Sequence, residues 1–180
     1  MFKKLTTLLL VVCMLVTAAG CSMFASDDGA GKGDESKSGT EDQGVKITDT
    51  FTHQDPTDIE FDERRILEYP KENDYVTTMN DQLDVKATAA YMIIYAKDKK
   101  VVGHYEYIVC EDEEHAEKLT KIQSDYVQNV KTEGNVSYFS KTGDALESEI
   151  ASNISMNMMA DDTIESYINF FVGSFAAVEK

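Results

Sequence analysis

The sequence predicts an α+β domain in which an antiparallel sheet of about four or five strands carries two main helices on one face. Two segments rich in β-branched and aromatic residues flank a short Lys-Asp-Lys-Lys connection within residues 87–110, the pattern of a central β-hairpin. Residues 112–130 and 162–177 instead repeat apolar side chains at three- and four-residue spacing, the pattern of amphipathic helices. Strands and helices that are mixed along one short chain favour an α+β architecture.

The first twenty residues have the three regions of a secretory signal peptide. Lys3 and Lys4 form a positively charged start, a mostly apolar run continues to Val16, and small residues then lead into Cys21. The apolar run is shorter than the roughly 20 residues that a membrane-spanning helix needs. We therefore expect residues 1–20 to be removed as a signal peptide.

The residues directly before the cysteine carry a further signal. Ala18, Ala19 and Gly20 followed by Cys21 resemble the lipobox of bacterial lipoproteins. The resemblance implies lipidation, in which Cys21 receives a diacylglyceryl group and becomes the mature N-terminus. Two or three acyl chains also meet the requirement that stable membrane anchoring needs more than one lipid signal. An ordinary signal peptide with an incidental cysteine is the alternative.

This anchor predicts an extracytoplasmic location and a lipid bilayer as the first partner, bound through acylated Cys21. The expected place is the outer face of the cell membrane, and an outer membrane is the alternative. Residues 21–44 comprise the cysteine and a Gly-, Ser- and acid-rich linker that has too few apolar side chains to fold. Residues 45–180 are then predicted to form a single small α+β domain.

The net charge of the whole chain is −16, with 33 acidic and 17 basic residues. Such an excess of negative charge repels the phosphate backbone of nucleic acids. We therefore expect no nucleic-acid partner.

The segment before the hairpin contains two alternating stretches and one ambiguous stretch. Residues 45–51 and 58–62 alternate apolar and polar side chains and are predicted as strands. Residues 73–84 fit one face of a helix, but their β-branched side chains also suit a strand. The choice between helix and strand stays open there.

In the predicted hairpin, a two- or four-residue connection pairs Ala96 with Val101. One face, predicted to lie in the core, then bears Met92, Ile94, Ala96, Val101, Tyr105, Tyr107 and Val109. The opposite face bears Tyr91, Ile93, Tyr95, Val102, His104, Glu106 and Ile108. This second face is expected to stay open, which makes a candidate binding patch of Tyr91, Tyr95, His104 and Glu106. A three-residue loop would instead regroup the two faces.

Three further elements follow the hairpin. Asp112 is placed to cap the helix at 112–130, whose first turn is acidic. Residues 136–139 read as a strand, and residues 145–158 fit either a helix or a strand. The last helix, at 162–177, is too short and too polar to span a membrane and is expected to pack on the core.

The last helix also has a predicted start. Asp162 and Glu165 have the spacing of a capping box, with Asp in the place of the usual Ser or Thr. We therefore expect Asp162 to cap this helix.

The sequence contains no recognisable catalytic, nucleotide-binding or metal-binding motif. We therefore predict a non-catalytic binding or accessory domain for an unknown envelope protein or wall component, with no catalytic residues, cofactor or metal. The alternative is a small envelope hydrolase or metal-dependent enzyme whose residues are scattered along the chain. A cleft that joins His104 and Glu106 to the acids of residues 58–62 would favour that enzyme. Cys110 is predicted to be a buried apolar filler.

Overall fold

The computed structural model describes residues 44–180, so the predicted signal peptide, Cys21 and nearly all of the linker lie outside the described residues. Strands run over Val45–Lys46 (β1), Thr52–His53 (β2), Glu63–Pro70 (β3), Ala87–Lys97 (β4), Lys100–Cys110 (β5), Lys131–Glu133 (β6), Val136–Thr142 (β7) and Val178–Glu179 (β8). Helices run over Asp74–Leu83 (α1), Glu113–Gln123 (α2), Gly143–Ser155 (α3) and Ile164–Phe175 (α4).

The α+β class with an antiparallel sheet is confirmed, but the sheet is larger than predicted. The main sheet has six strands in the order β6-β7-β5-β4-β3-β8, and β1 pairs with β2 in a separate two-stranded sheet. The prediction of four or five strands is wrong because β6 and β8 are only three and two residues long. Strands this short contain too few alternations to be visible in a sequence.

The part of the chain from residue 44 onward contains four helices, and not two. The ambiguous segment 73–84 is α1, which begins where the Asn73 side chain accepts a hydrogen bond from the Tyr75 backbone N–H at 2.8 Å. The ambiguous segment 145–158 is mostly α3. Side chains of all four helices enter one apolar core on the same face of the sheet, here called the helix face.

The two predicted helices are shorter than expected. Asp112 caps α2 as predicted, but α2 ends at Gln123, and the segment that follows turns away with Tyr126 41% exposed. The predicted cap of the last helix is wrong, because the Thr163 side chain accepts the hydrogen bond from the Ser166 N–H. Asp162 instead forms an ion pair with Lys100 at 2.7 Å.

The hairpin of β4 and β5 contains the predicted pairing of Ala96 with Val101, next to the pair of Lys97 and Lys100 that closes the turn. Its loop consists of Asp98 and Lys99, which have φ angles of 50° and 68°. Two consecutive positive φ angles are the signature of a type I′ turn, whose twist matches that of paired strands.

A β-bulge interrupts this pairing one residue later. Val102 has no partner, so Tyr95 pairs with Gly103 and not with Val102. One extra residue reverses the alternation of every later side chain on β5. The face prediction is therefore wrong beyond the bulge: His104 and Glu106 lie on the helix face, whereas Tyr105, Tyr107 and Val109 lie on the opposite face.

That opposite face is covered and does not stay open as expected. Residues 44–62, here called the strap, lie across it and pack Ile47, Phe51, Ile59 and Phe61 against its tyrosines and aliphatic side chains. We call this side of the sheet the strap face. The central hairpin is consequently covered on both sides, which explains why most residues from Met92 to Cys110 outside the turn are buried.

Candidate functional site

The central hairpin contributes buried side chains to two clusters of hydrogen-bonding groups, one on each face of the sheet. The helix-face cluster consists of Tyr75, His104, Glu106, Lys141, Glu149 and Tyr167. The strap-face cluster consists of His53, Asp55, Arg64, Tyr95 and Tyr107. Each cluster joins residues that are far apart in sequence, so only the fold brings them together.

The structure does not bring the four residues of the predicted binding patch together. Tyr95 belongs to the strap-face cluster and is fully buried, and Tyr91 is half-buried on the same face. His104 and Glu106 belong to the helix-face cluster and are 2% and 6% exposed. The bulge in β5 separates the two pairs, so no shared open patch is formed.

His104 is the centre of the helix-face cluster. Its Nδ1 atom lies 2.6 Å from the Tyr167 hydroxyl, and that hydroxyl donates to Glu149 Oε1 at 3.3 Å. Because Tyr167 has a single hydroxyl proton, Nδ1 carries a proton of its own and donates it to the Tyr167 oxygen. The neutral ring then has an unprotonated Nε2.

This Nε2 atom faces a carboxylate. It lies 3.6 Å from Oε2 of Glu106, and it is the one buried side-chain polar atom in residues 44–180 that lacks a hydrogen-bond partner. A lone pair and a carboxylate repel each other, so the contact is attractive only when a proton lies between the two groups. The fold therefore places an unsatisfied buried nitrogen beside a buried carboxyl group.

Two helices and one strand supply the remaining groups of the cluster. Tyr75 on α1 donates its hydroxyl proton to Glu106, and burial together with the charge of Glu106 holds the pKa of Tyr75 well above its usual value. Lys141 on β7 pairs with Glu149 on α3. Burial raises the pKa of the Glu149 carboxyl, but the charges and hydrogen bonds of Lys141, His104 and Tyr167 together outweigh burial, so this pKa is lowered.

The hydrogen-bonded chain therefore runs from Glu149 through Tyr167 to His104, and Nε2 of His104 lies beside Glu106 without a hydrogen bond to it. It is enclosed by aromatic rings, since Phe139 and Phe171 lie 6.2 Å and 5.9 Å from the His104 ring. Among residues 44–180, no three His, Cys, Asp or Glu side chains are grouped closely enough to hold a metal ion.

The cleft that would favour an enzyme is not formed. Asp58, Glu60 and Asp62 are exposed side chains of the strap, so the sheet lies between them and the pair of His104 and Glu106.

The strap-face cluster is ordered around His53. Its Nε2 atom lies 2.6 Å from the Tyr95 hydroxyl, which itself donates to Asp55 at 2.6 Å. Nε2 must therefore be the protonated nitrogen, and Nδ1 accepts the hydroxyl proton of Tyr107. Arg64 completes the cluster with an ion pair to Asp55 at 2.7 Å.

Burial lowers the pKa of His53 to about 4. The negative charge of Asp55 opposes this shift, and the positive charge of Arg64 adds to it. The ring is consequently neutral at pH 7.

Most members of the two clusters were not singled out from the sequence. His53 stands on a two-residue strand, and its tyrosine partners are 42 and 54 residues away. Tyr167 and Glu149 occupy ordinary helix positions. The one local signal was the His-x-Glu spacing of His104 and Glu106, which correctly predicts a shared face.

Cys110 is buried as predicted, with 1% of its surface exposed. Burial, and to a lesser extent the charge of Asp112, raises the pKa of its thiol to about 11. His115 is partly buried at the start of α2, where it lies 2.6 Å from the capping carboxylate of Asp112.

A shallow groove of about 440 Å³ lies beside α4, with a floor that includes Met158, Met159 and Phe170. The acidic groups at its rim already have partners within the protein: Asp161 accepts hydrogen bonds from Thr163. The acidic side chains that line this groove are therefore already paired within the protein and do not indicate a ligand-binding site.

No protein-family model matches the chain, and comparisons with curated proteins and with solved structures find no significant similarity. Within residues 44–180, no helix has the length and apolar character required to cross a membrane.

Proposed function

We propose that this protein is a lipid-anchored, extracytoplasmic accessory protein whose domain binds a partner and does not catalyse a reaction. One structural observation supports this reading most directly: three of the side chains best suited to chemistry, His53, His104 and Glu106, are buried inside the domain. Glu149, the fourth, is half-buried and is already paired with Lys141. The lipobox-like residues before Cys21 support the anchor.

The anchor is tested by Cys21→Ala. The wild-type protein is expected to incorporate an alkyne-labelled fatty acid and to sediment with membranes. The Cys21→Ala variant should lose the label and either remain unprocessed or leave the membrane fraction. Cys13→Ala is the matched control, because Cys13 lies inside the apolar signal and should be dispensable. Normal labelling of Cys21→Ala would refute the proposed lipidation.

The binding role is tested by photo-cross-linking in cells that make the anchored protein. The exposed large apolar side chains are the natural sites for the photoreactive residue: Tyr126, Met156, Val172 and Val178. A discrete cross-linked product that forms from one of these sites, and that is weakened when Cys21→Ala releases the protein, is expected. The absence of a cross-linked product from all four positions would count against a binding role on these surfaces.

The unpartnered Nε2 of His104 beside Glu106 favours one alternative, a small hydrolase that uses this pair in acid–base chemistry. The test is a panel of chromogenic esters, phosphates and glycosides, with the processed protein and with Glu106→Gln. Turnover that is lost in Glu106→Gln, while the variant keeps the wild-type circular dichroism spectrum, would support the hydrolase and exclude a purely accessory role.

A further inference from the structure

The strap is attached to the main sheet almost entirely by side chains. β1 and β2 pair only with each other, and within residues 44–180 the backbone hydrogen bond between strap and sheet is at the strap's end, from Asp62 N–H to the Ala96 carbonyl at 2.9 Å. Segments that lack backbone pairing to the rest of a protein open at lower free energy than its core strands. The strap is therefore the part of this domain most easily detached.

Beneath the strap lies a dense set of aromatic rings. Phe61 packs edge-on against Tyr95 with ring centroids 4.6 Å apart, and Phe51 lies 5.6 Å from Tyr107. Tyr105 is half-buried beside them. Detachment of the strap would expose the hydroxyls and rings of these tyrosines, a surface of the kind that proteins commonly use for recognition.

Gly103 leaves the space in which the strap packs against the sheet. A Cβ atom at this position would lie 2.7 Å from Cδ1 of Ile59 and 3.2 Å from the ring of Tyr105. The bulge at Val102 brings Gly103 to this position opposite Tyr95. The absence of a side chain at residue 103 thus allows the strap to lie flat on the sheet.

The polar attachment of the strap depends on a neutral His53. Its two ring nitrogens are satisfied in one arrangement, in which Nε2–H donates to Tyr95 and Nδ1 accepts from Tyr107. A second proton on Nδ1 would face the hydroxyl proton of Tyr107, whose hydrogen-bond partner in the described part of the chain is His53 itself. To accept that second proton the Tyr107 hydroxyl must turn its own proton away, so protonation leaves this buried hydroxyl proton without an acceptor and also buries a charge.

We propose that the strap is an acid-released cover, and that protonation of His53 detaches residues 44–62 from the tyrosine-bearing face of the sheet. The inference concerns the folded domain alone and does not depend on the lipid anchor or on a partner. The groups that face His53 are the hydroxyls of Tyr95 and Tyr107, the ring of Tyr105 and, further away, the opposed charges of Asp55 and Arg64.

The size of the effect follows from the difference between the attached and the detached state. His53 has a pKa of about 4 when attached and about 6.5 when exposed to solvent. Because the attached pKa is depressed, the stabilisation is complete above pH 6.5 and is lost as the pH falls toward 4. The equilibrium constant for strap opening should consequently rise about thirtyfold between pH 7.5 and pH 5.

Hydrogen exchange measured by mass spectrometry on the processed protein tests this inference. Exchange of peptides from residues 44–62 is compared at pH 7.5 and pH 5 after correction for the intrinsic pH dependence of the chemical rate. Peptides from β4 and β5 report on global unfolding. His53→Gln removes the titrating group, His115→Gln is the matched histidine control, and Gly103→Val should loosen the strap at both pH values.

The expected result is an increase in strap opening of about thirtyfold at pH 5 in the wild type and in His115→Gln, with little change in β4 and β5. His53→Gln should show the same opening at both pH values. Equal strap exchange in the wild type at the two pH values, an equal increase in the central strands, or an unchanged pH response in His53→Gln would each overturn the inference.

If His53→Gln does not fold, NMR of the wild-type protein gives a second test. The His53 ring and the methyl groups of Ile47 and Ile59 should then change together in one titration below pH 6. Methyl signals that stay unchanged while His53 titrates would overturn the inference.

Discussion

The Nδ1 atom of His104 on β5 lies 2.6 Å from the hydroxyl oxygen of Tyr167 on α4, and both side chains are buried. This contact connects the last helix to the centre of the sheet. The same hydroxyl also bonds to Glu149 on α3, so one oxygen atom connects three elements.

Removal of this oxygen in Tyr167→Phe should leave His104 Nδ1 without a partner. An unsatisfied buried polar group costs roughly 1–3 kcal/mol, and we expect the free energy of unfolding to fall by that amount. Urea denaturation followed by circular dichroism measures it. Tyr126→Phe is the matched control, because Tyr126 is 41% exposed and should change stability by less than about 0.5 kcal/mol. Equal effects of the two substitutions would contradict the assignment.

Arg65 on β3 contacts three carboxylates that belong to β3, α4 and β8: Glu63 at 3.1 Å, Glu165 at 2.9 Å, and Glu179. Arg65→Met would leave these negative charges close together, and we expect a loss of roughly 1–2 kcal/mol in the free energy of unfolding at low salt.

The loss in Arg65→Met should become smaller as salt is added, because salt screens exposed charges. Lys46→Met is the control, since the ion pair of Lys46 with Asp49 is largely exposed and should contribute little. A salt-independent difference between Arg65→Met and the wild type would assign the effect to packing and not to charge.

The hairpin turn offers a stabilising change. Asp98 and Lys99 both have positive φ angles, which Asn and Gly adopt at lower cost. The double substitution Asp98→Asn with Lys99→Gly should raise the free energy of unfolding by roughly 0.5–1 kcal/mol, measured by thermal and urea denaturation. The backbone contacts of both residues, to Asp62 and Ile164, are retained. Lys97→Gly, on the strand itself, should destabilise the protein instead.

The thiol of Cys110 should react slowly with alkylating agents in the folded protein. With a pKa of about 11, about 0.1% of the thiol is ionised at pH 8, roughly a hundredfold less than at the usual pKa near 9. Mass spectrometry of the processed protein with iodoacetamide should show alkylation that accelerates at least a hundredfold in urea. Rapid alkylation under native conditions would show that Cys110 is accessible.

Much of the fold was predictable from the sequence because it depends on local patterns. The hairpin has eleven residues on each strand, long enough to show alternation, and the pairing of Ala96 with Val101 follows from its short polar connection. The start of α2 after Asp112 follows from the side chain of Asp112 itself, which accepts a hydrogen bond from the His115 backbone N–H in the first turn. Such interactions are contained within a few consecutive residues.

The candidate clusters were not predictable for the opposite reason. A β-bulge is a property of two paired strands. Gly103 is the one hint in the sequence of β5, since a glycine inside a strand often marks a bulge, but it does not specify that Val102 is the unpaired residue. With the bulge in place, His104 contacts Tyr167 on α4, which follows the hairpin in sequence. Glu106 contacts Tyr75 on α1, which precedes it. These contacts depend on how the helices pack on the sheet.

The sequence by itself determined the secondary-structure class, the central hairpin with its turn, and the start of α2, because these depend on propensity, periodicity and capping within short windows. It is also the basis on which we propose the anchor at Cys21. The tertiary structure decided which side of the sheet each polar side chain faces and which face the strap covers. Those outcomes depend on one unpaired residue in β5 and on side chains that meet across long sequence separations, where no local pattern operates.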